Sequence, residues 1–389
     1  MHAQLESLFV SLALANLAAP ASAQLIVGAE SNYALDAVWR IDVTTGERAL
    51  LFYGGASAIA VDDAGGRIFT ANIGQLSVWN YGGGPSATVL GNLTDPSGLP
   101  FQPSGMAFGA GRLVATREDF PCSGWLFEID LTTLVALPLP TPLTCISSKA
   151  LSFEPSTGQF VMQGATGGLL RMDIFGGGAI QQIGTIGYPP DGGALGDAGA
   201  YYVVHDRGLW PIAKFDLATN SYTQTTYWAP YYGTGQNAGA DWAPSLVLPP
   251  GPRVYCEPRL PGVPEPLRPT YTGTPSASAG SGFTITHAPL SDVNSRVQPH
   301  ISLVGPAQVP FHTGQRCLRL PVLRLPHQVV ANGVHSFDFN AYLASGANPA
   351  LVAGQTVWYQ VIEVPGPYIG TPPLSLINLG PGVSFTILP

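Results

Sequence analysis

Charged side chains are scarce in this chain, and two short stretches gather several of them: TREDF (Thr116–Phe120) and HDRGL (His205–Leu209). They set Glu118, Asp119 and Asp206 beside Arg117, Arg207 and the imidazole of His205. Paired carboxylates with a His or an Arg can do acid/base work on a sugar or a lactone. The oxygen ligands Glu118, Asp119, Asp206 and Asp241 are of the kind that Ca²⁺ gathers about six to eight at a time. The third use is no chemistry at all: loop charges that pair with one another, Arg117 with Asp206 or Arg207 with Glu118, which is worth little at a surface. The third reading is preferred. Lys149 belongs to the same set of candidate loop residues. A further candidate is aromatic: TTYWAPYYGTGQNAGADW (Thr225–Trp242) offers Trp228, Tyr231 and Tyr232 as flat faces for a sugar ring or a partner surface. Packing of a structural seam is the competing use of those rings, and Trp242 is expected to be buried core. No GxSxG, HExxH, EF-hand or Walker pattern occurs. Five of the seven histidines (His287, His300, His312, His327 and His335) lie in the last third without H-x-H or H-x₃-H spacing, so they do not read as a metal cluster.

What positions these residues is a repeat. RIDVTTGE (Arg40–Glu47), FEIDLTTL (Phe127–Leu134), LRMDIFGG (Leu170–Gly177) and AKFDLATN (Ala213–Asn220) bring one aspartate back as Asp42, Asp130, Asp173 and Asp216. A residue that recurs after each alternating run is architectural: its carboxylate can close an Asx-type turn on the N–H groups that follow. Small-residue strands precede each unit, and their starts at Ile59, Gly105, Ala150, Gly193 and Gly239 are spaced by 46, 45, 43 and 46 residues. Four strands per unit of about 40–45 residues is the period of a β-propeller blade. The chain starts inside a unit, with LIVGAE (Leu25–Glu30) as a second strand, and ADWAPSLVL (Ala240–Leu248) supplies the missing first strand. Both ends therefore share one blade, and the count is five. The loops between second and third strands, and between blades, open on one face; Arg117, Glu118, Asp119, His205 and Asp206 fall in the first loop type, Lys149 and Asp241 in the second.

Residues 249–270, PPGPRVYCEPRLPGVPEPLRPT, hold eight prolines in 22 positions and read as a semi-rigid linker. Alternation then returns in FTITHA, HISLVG, HSFDFNAYL, TVWYQVIEV and VSFTILP, short strands without helix that suggest a β-sandwich. The fold class is all-β: a five-bladed β-propeller over residues 24–250, a Pro-rich linker over 251–270 and a β-sandwich module over 271–389.

The x-hydrophobic-Asp-x-x-T-G strand endings resemble those of secreted bacterial YVTN-like and quinoprotein-like propellers, a likeness over residues 25–250 that implies a fold and not an activity. Tyr255-Cys256, GTPSASAGSGFTIT (Gly273–Thr286), VPFHTGQRCLRLPVLR (Val309–Arg324) and AGQTVWYQ (Ala353–Gln360) resemble the C-terminal module of large exported proteins of planctomycete-type bacteria. Where such modules carry further cysteines and a Trp-rich segment, this chain has VIEVPGP.

Ser7 to Ala19 is an apolar core followed by Pro20 and Ala21-Ser22-Ala23, so residues 1–23 read as a secretory signal peptide, although the MHAQLE start lacks the usual basic residue. No segment is long enough to span a membrane as a helix. Four cysteines agree with export; of three pairings, Cys122–Cys145 and Cys256–Cys317 respect the domain boundary. Only 10% of residues are charged and the net charge is −8 without a basic run, which argues against a nucleic-acid partner. The expectation is a monomeric exported protein, secreted, cell-surface or periplasmic. It serves non-catalytic recognition or scaffolding, with a carbohydrate or a protein as ligand and no cofactor unless the loop carboxylates take Ca²⁺. The alternative is a propeller hydrolase or lyase acting on a carbohydrate or lactone.

Overall fold

A computed structural model of the chain describes residues 24–31, 37–43, 48–84, 86–119, 123–144, 150–163, 167–177, 179–186, 192–196, 199–204, 212–223, 235–246, 251–256, 268–288, 290, 294–311, 314–330, 332–364 and 378–389. Among these residues the first twenty strands form five antiparallel four-stranded sheets. The first sheet contains β1 (Gln24–Ser31), β2 (Ala37–Asp42) and β3 (Arg48–Tyr53). The second is β4 (Ala58–Asp62), β5 (Arg67–Asn72), β6 (Gln75–Asn80) and β7 (Thr88–Asn92). The third is β8 (Gly105–Gly109), β9 (Arg112–Asp119), β10 (Ser123–Asp130) and β11 (Val135–Thr144). The fourth is β12 (Leu151–Glu154), β13 (Gln159–Gln163), β14 (Gly168–Met172) and β15 (Gln181–Thr185). The fifth is β16 (Gly192–Leu195), β17 (Ala200–Val204), β18 (Ile212–Asp216) and β19 (Ser221–Thr223). The strand β20 (Gly235–Trp242) then returns to the first sheet, whose order is β20-β1-β2-β3.

The inner strands β20, β4, β8, β12 and β16 lie one against the next, and β16 packs back on β20. Each pair of neighbouring sheets shares one apolar seam. Ile26 and Val38 meet Ile59 and Ile68 between the first and second sheets, and Phe69 and Ala71 meet Met106 and Leu113 between the second and third. Val114 and Leu126 meet Phe160 and Met162 next. Val161 and Leu169 then meet Tyr201 and Phe215, and Ala194 and Tyr202 close on Leu25 and Ile41. Sheets that bury both faces around a common axis make this a β-propeller.

The first and last strands of the propeller do share a sheet, but the closing strand begins earlier than Ala240–Leu248: β20 pairs with β1 from Leu25↔Trp242 to Ser31↔Gly235. Pro244 has no N–H to give the ladder with β1, and pairing stops before it, whereas Gly239 lets β20 come close to the backbone of β4 at the axis. Gly235–Trp242, the second part of the aromatic stretch Thr225–Trp242, is therefore an inner strand.

The recurrent aspartates close turns. Asp130 accepts the Thr132 N–H (2.8 Å), Asp173 that of Gly176 (2.7 Å) and Asp216 those of Ala218 (2.8 Å) and Thr219 (2.9 Å). The Thr132 N–H bond holds the Asp130 carboxyl below its ordinary value, and the Thr219 N–H does the same for Asp216. Four residues after each aspartate the chain turns left-handed, at Leu134 (φ 59°), Gly177 (φ 68°) and Asn220 (φ 52°). Asp42 ends β2 in a buried position, and residues 44–47 of its turn lie outside the described part.

The remaining strands are β21 (Arg253–Cys256), β22 (Arg268–Thr272), β23 (Thr284–Ala288), β24 (Arg296–Ser302), β25 (Pro306–Phe311), β26 (Gly314–Leu318), β27 (Leu323–Arg324), β28 (Gln328–Val329), β29 (His335–Asp338), β30 (Thr356–Val364), β31 (Asn378–Leu379) and β32 (Gly382–Thr386). They form a sheet with the main order β21-β32-β30-β24-β27, a second of β22-β23-β29 and a hairpin of β25-β26. Two parts of the expected linker are thus paired strands: Val254 faces Val383, and Pro269 faces His287. Both strands stand at an edge of their sheet, where proline is tolerated. Among the described residues a single short helix, α1 (Phe339–Ala344), interrupts the strands, with Asp338 accepting the Ala341 N–H as its N-cap. One core joins this part to the propeller: Phe283, Ile285, Phe337, Tyr359 and Phe385 pack with Ala37 and Trp39 of β2.

Candidate functional site

At the axis, one carboxylate holds four sheets together. Asp241, on β20, accepts the Val61 N–H of β4 at Oδ2 (2.7 Å), and its Oδ1 accepts the Trp242 N–H (2.9 Å) and the Ser152 hydroxyl of β12 (3.3 Å). Ser152 Oγ in turn accepts the Leu195 N–H of β16 (3.0 Å). Burial pushes the Asp241 carboxyl up to about 7, against the pull of its three donors, and the charge of Asp63 adds to the rise. The Tyr201 hydroxyl is buried without a partner, packed beside Gly193, and burial with the charge of Asp241 raises its pKa.

This placement corrects the expectation that Asp241 lies in a loop on the ligand face. Because β20 starts at Gly235, residue 241 is seven positions along and sits level with Val61, next to the end of β4. Its oxygens are taken by two backbone N–H groups and a serine hydroxyl, and the side chain is buried between inner strands. Among the described residues no group of three or more His, Cys, Asp or Glu side chains is placed to hold a metal ion.

The loop face is described along the second and third sheets. β5 and β6 are joined by the two-residue turn Ile73–Gly74, with φ of 46° and 79°, the conformation of a type I′ hairpin. Such a turn favours Asn-Gly, and a β-branched residue there is strained. Ile73 is nevertheless 73% exposed. Beside it runs the connection from β7 to β8: Leu93 donates to the Gly74 carbonyl (2.7 Å), and Asp95 accepts the Ser97 N–H (2.9 Å) and the Leu99 N–H (3.0 Å), leaving Leu99 63% exposed. Arg117 lies behind this connection, its guanidinium 5.7 Å from the Phe101 ring and 5.3 Å from the Phe127 ring. Its charge helps lower the Asp95 carboxyl, after the hydrogen bond from the Ser97 hydroxyl.

Of the residues singled out in the sequence, Arg117 alone has a described side chain on this face. The backbone of Glu118 and Asp119 ends β9, and Lys149, His205, Asp206, Trp228, Tyr231 and Tyr232 lie outside the described residues, as do Cys122 and Cys145. Trp242 is partly buried rather than core: its ring stacks on Tyr202 at 5.3 Å and 9°. Ile73 and Leu99 carry neither charge nor an aromatic ring, and Asp95 stands apart from the charged clusters, so none of the three stands out in the sequence by residue type alone. The signal for Ile73 was present in NIGQ, where an isoleucine precedes glycine in a two-residue hairpin.

No family model matches the chain, and no curated protein does. Among solved structures, TolB from Acinetobacter baumannii is 13% identical with a TM-score of 0.37, the alignment covering 71% of this chain and 64% of TolB. A protein from Bacteroides uniformis, provisionally described as a 6-phosphogluconolactonase, is 11% identical with a TM-score of 0.31, covering 53% of this chain and 67% of the other. A protein of unknown function from Bacteroides thetaiotaomicron is 14% identical with a TM-score of 0.31, at 49% and 52%. Likeness at this level says nothing of ligand or activity.

Proposed function

We propose that this chain is an exported, monomeric binding or scaffold protein: a five-bladed β-propeller that presents its loop face to a partner, followed by a β-sandwich module. Ile73 is the observation that supports it most. A β-branched side chain held at positive φ is strained, its exposure returns no burial energy to offset the cost, and such strain concentrates at functional sites. Leu99 and Arg117 lie on the same rim, and the loop residues Glu118, Asp119, Lys149, His205, Asp206, Trp228, Tyr231 and Tyr232 would extend it around the axis. Exposed aliphatic groups suit a protein surface better than a sugar ring, so a protein partner is the first to test and a glycan the second.

The Ile73→Asn variant restores the residue the turn prefers and should gain about 1 kcal/mol of stability. The same variant should lose whatever the wild type retains in affinity capture from the native secretome or on a glycan array. Asp216→Ala, in a turn of the fifth sheet, serves as the control that keeps it. Equal retention by Ile73→Asn and wild type would end the proposal for this rim.

The module carries its own covalent clamp on this reading, Cys256–Cys317. In its support, Cys317 is buried in a disulfide, and Tyr255, next to Cys256, donates its hydroxyl to the Cys317 carbonyl (2.8 Å). Non-reducing peptide mapping should find that bridge and Cys122–Cys145; a link between the two halves of the chain refutes the pairing.

A further inference from the structure

The least satisfied polar groups among the described residues sit in the core that joins the two halves of the molecule. His287 of β23 and His335 of β29 are direct cross-strand partners, both fully buried, with ring centroids 5.9 Å apart. All four of their ring nitrogens lack a hydrogen-bond partner. Tyr359 of β30 stacks on His287 (5.8 Å, 28°), and its hydroxyl is unpartnered as well. Tyr359 belongs to the cluster that Ala37 and Trp39 enter from the propeller's first sheet.

A neutral imidazole has one N–H and one lone pair to satisfy, and here neither is met. A divalent ion between the rings would need at least a third protein ligand, and the described residues provide no group of three. Protons are the ligand that remains, and nothing around the pair welcomes them. Opposite His287 on β22 stands Pro269, and from β30 the titratable neighbour is Tyr359. Glu363, further along β30, accepts the Ser295 hydroxyl (2.6 Å). Asp338, on β29, accepts the Gly282 and Ala341 N–H groups. On β24, His300 faces the Gln298 carbonyl at 3.0 Å and feels the charge of Arg324.

We propose that the His287–His335 pair makes the C-terminal module an acid-sensitive latch: on acidification the two imidazoles take up protons only by opening this core, which releases the face of the first sheet that carries Ala37 and Trp39. Burial, joined for His287 by the neighbouring His335, lowers the two groups from 6.5 to about 3 and about 4. The closed form therefore stays unprotonated where the open form does not. Stability is complete above pH 6.5 and falls as pH drops from there towards 4, by up to roughly hundredfold in the opening equilibrium per pH unit for two protons. Asp241 works in the opposite direction, because its raised carboxyl strengthens the propeller axis over the same interval. Acid thus loosens the module while the ring tightens.

Hydrogen exchange on the full chain at pH 7.5 and 5.0, corrected for intrinsic rates, reads both parts at once. Residues 284–288, 335–338, 356–364 and 37–42 should lose at least a hundredfold in protection at pH 5.0, while 105–119 and 151–163 keep theirs. In the His287→Phe/His335→Leu double variant the loss should vanish. Should that variant not fold, His335→Gln should reduce the slope to about tenfold per pH unit, the value for one proton. Unchanged protection of the wild-type module at pH 5.0 overturns the proposal, as does a loss that persists undiminished in the variants.

Discussion

Replacing Asp241 by alanine should destabilise the propeller by roughly 3–5 kcal/mol at pH 5, because three buried donors lose their acceptor at once and each orphaned group costs about 1–3 kcal/mol. The Val61 N–H, the Trp242 N–H and the Ser152 hydroxyl all converge on this carboxylate, from three strands of the ring. The pH dependence carries the sign. The folded carboxyl titrates at about 7 against 3.8 unfolded, so its contribution is full below 3.8 and is lost as pH rises through 7. The gap between wild type and Asp241→Ala should therefore narrow by about 1.4 kcal/mol per unit on going from pH 5 to pH 7. Denaturant melts of both proteins across that range provide the check. A gap that widens with pH, or none at pH 5, means that the axis does not depend on this carboxylate.

The second large effect is expected at Gly239, one of the rare positions where two sheets touch through their backbones. Its φ is +77°, and a Cβ there would lie 2.9 Å from the Ile59 nitrogen and 3.1 Å from the Ala58 carbonyl carbon and Cα. Backbone atoms of a neighbouring inner strand cannot swing aside as the end of a side chain does. Gly192 presses on the same spot from the other side, its own would-be Cβ 2.8 Å from the Gly239 carbonyl carbon. Gly239→Val adds left-handed strain of about 1–3 kcal/mol to an overpacking penalty of about 1–3 kcal/mol, in total roughly 2–6 kcal/mol. The damage should centre on the seam closed by β20. Limited proteolysis should then cut first near β20 and β1, and thermal melts should show the loss. A variant that melts with the wild type would mean that the inner strands have room the close approach denies.

Much of this architecture was legible because it repeats. A turn aspartate with a left-handed residue four positions on is a local signal, and spacings of 43 to 46 residues count the units without any knowledge of contacts. The sharing of one sheet by β1 and a strand near residue 240 was also readable, since Leu25–Glu30 matches the second strand of the repeat and Ala240 onward its first. The position of that strand was not. Ala240–Leu248 has the apolar look of a strand, but the close approach of the inner strands needs a residue without a side chain, and Gly239 provides it. The proline-rich stretch misled in a similar way: composition spoke for a linker, and only the free sheet edges beside β32 and β23 turned parts of it into strands.

The same division runs through the sites. Sequence alone determined the residue types available for recognition, Arg117 and its charged neighbours and the aromatic run from Thr225, because charge and aromaticity are properties of single residues. It also determined that Ile73 precedes a glycine where asparagine is preferred. Tertiary structure alone decided that Asp241 is buried between inner strands, since its donors come from Val61 and Ser152, 180 and 89 residues away in the chain. It alone decided that His287 and His335, scattered by spacing, become partners across two strands and enter a core shared with Trp39. Local pattern encodes turns and strands because those form between near neighbours. Burial, desolvation and the meeting of distant polar groups exist only once the ring and its companion sheets have closed around them.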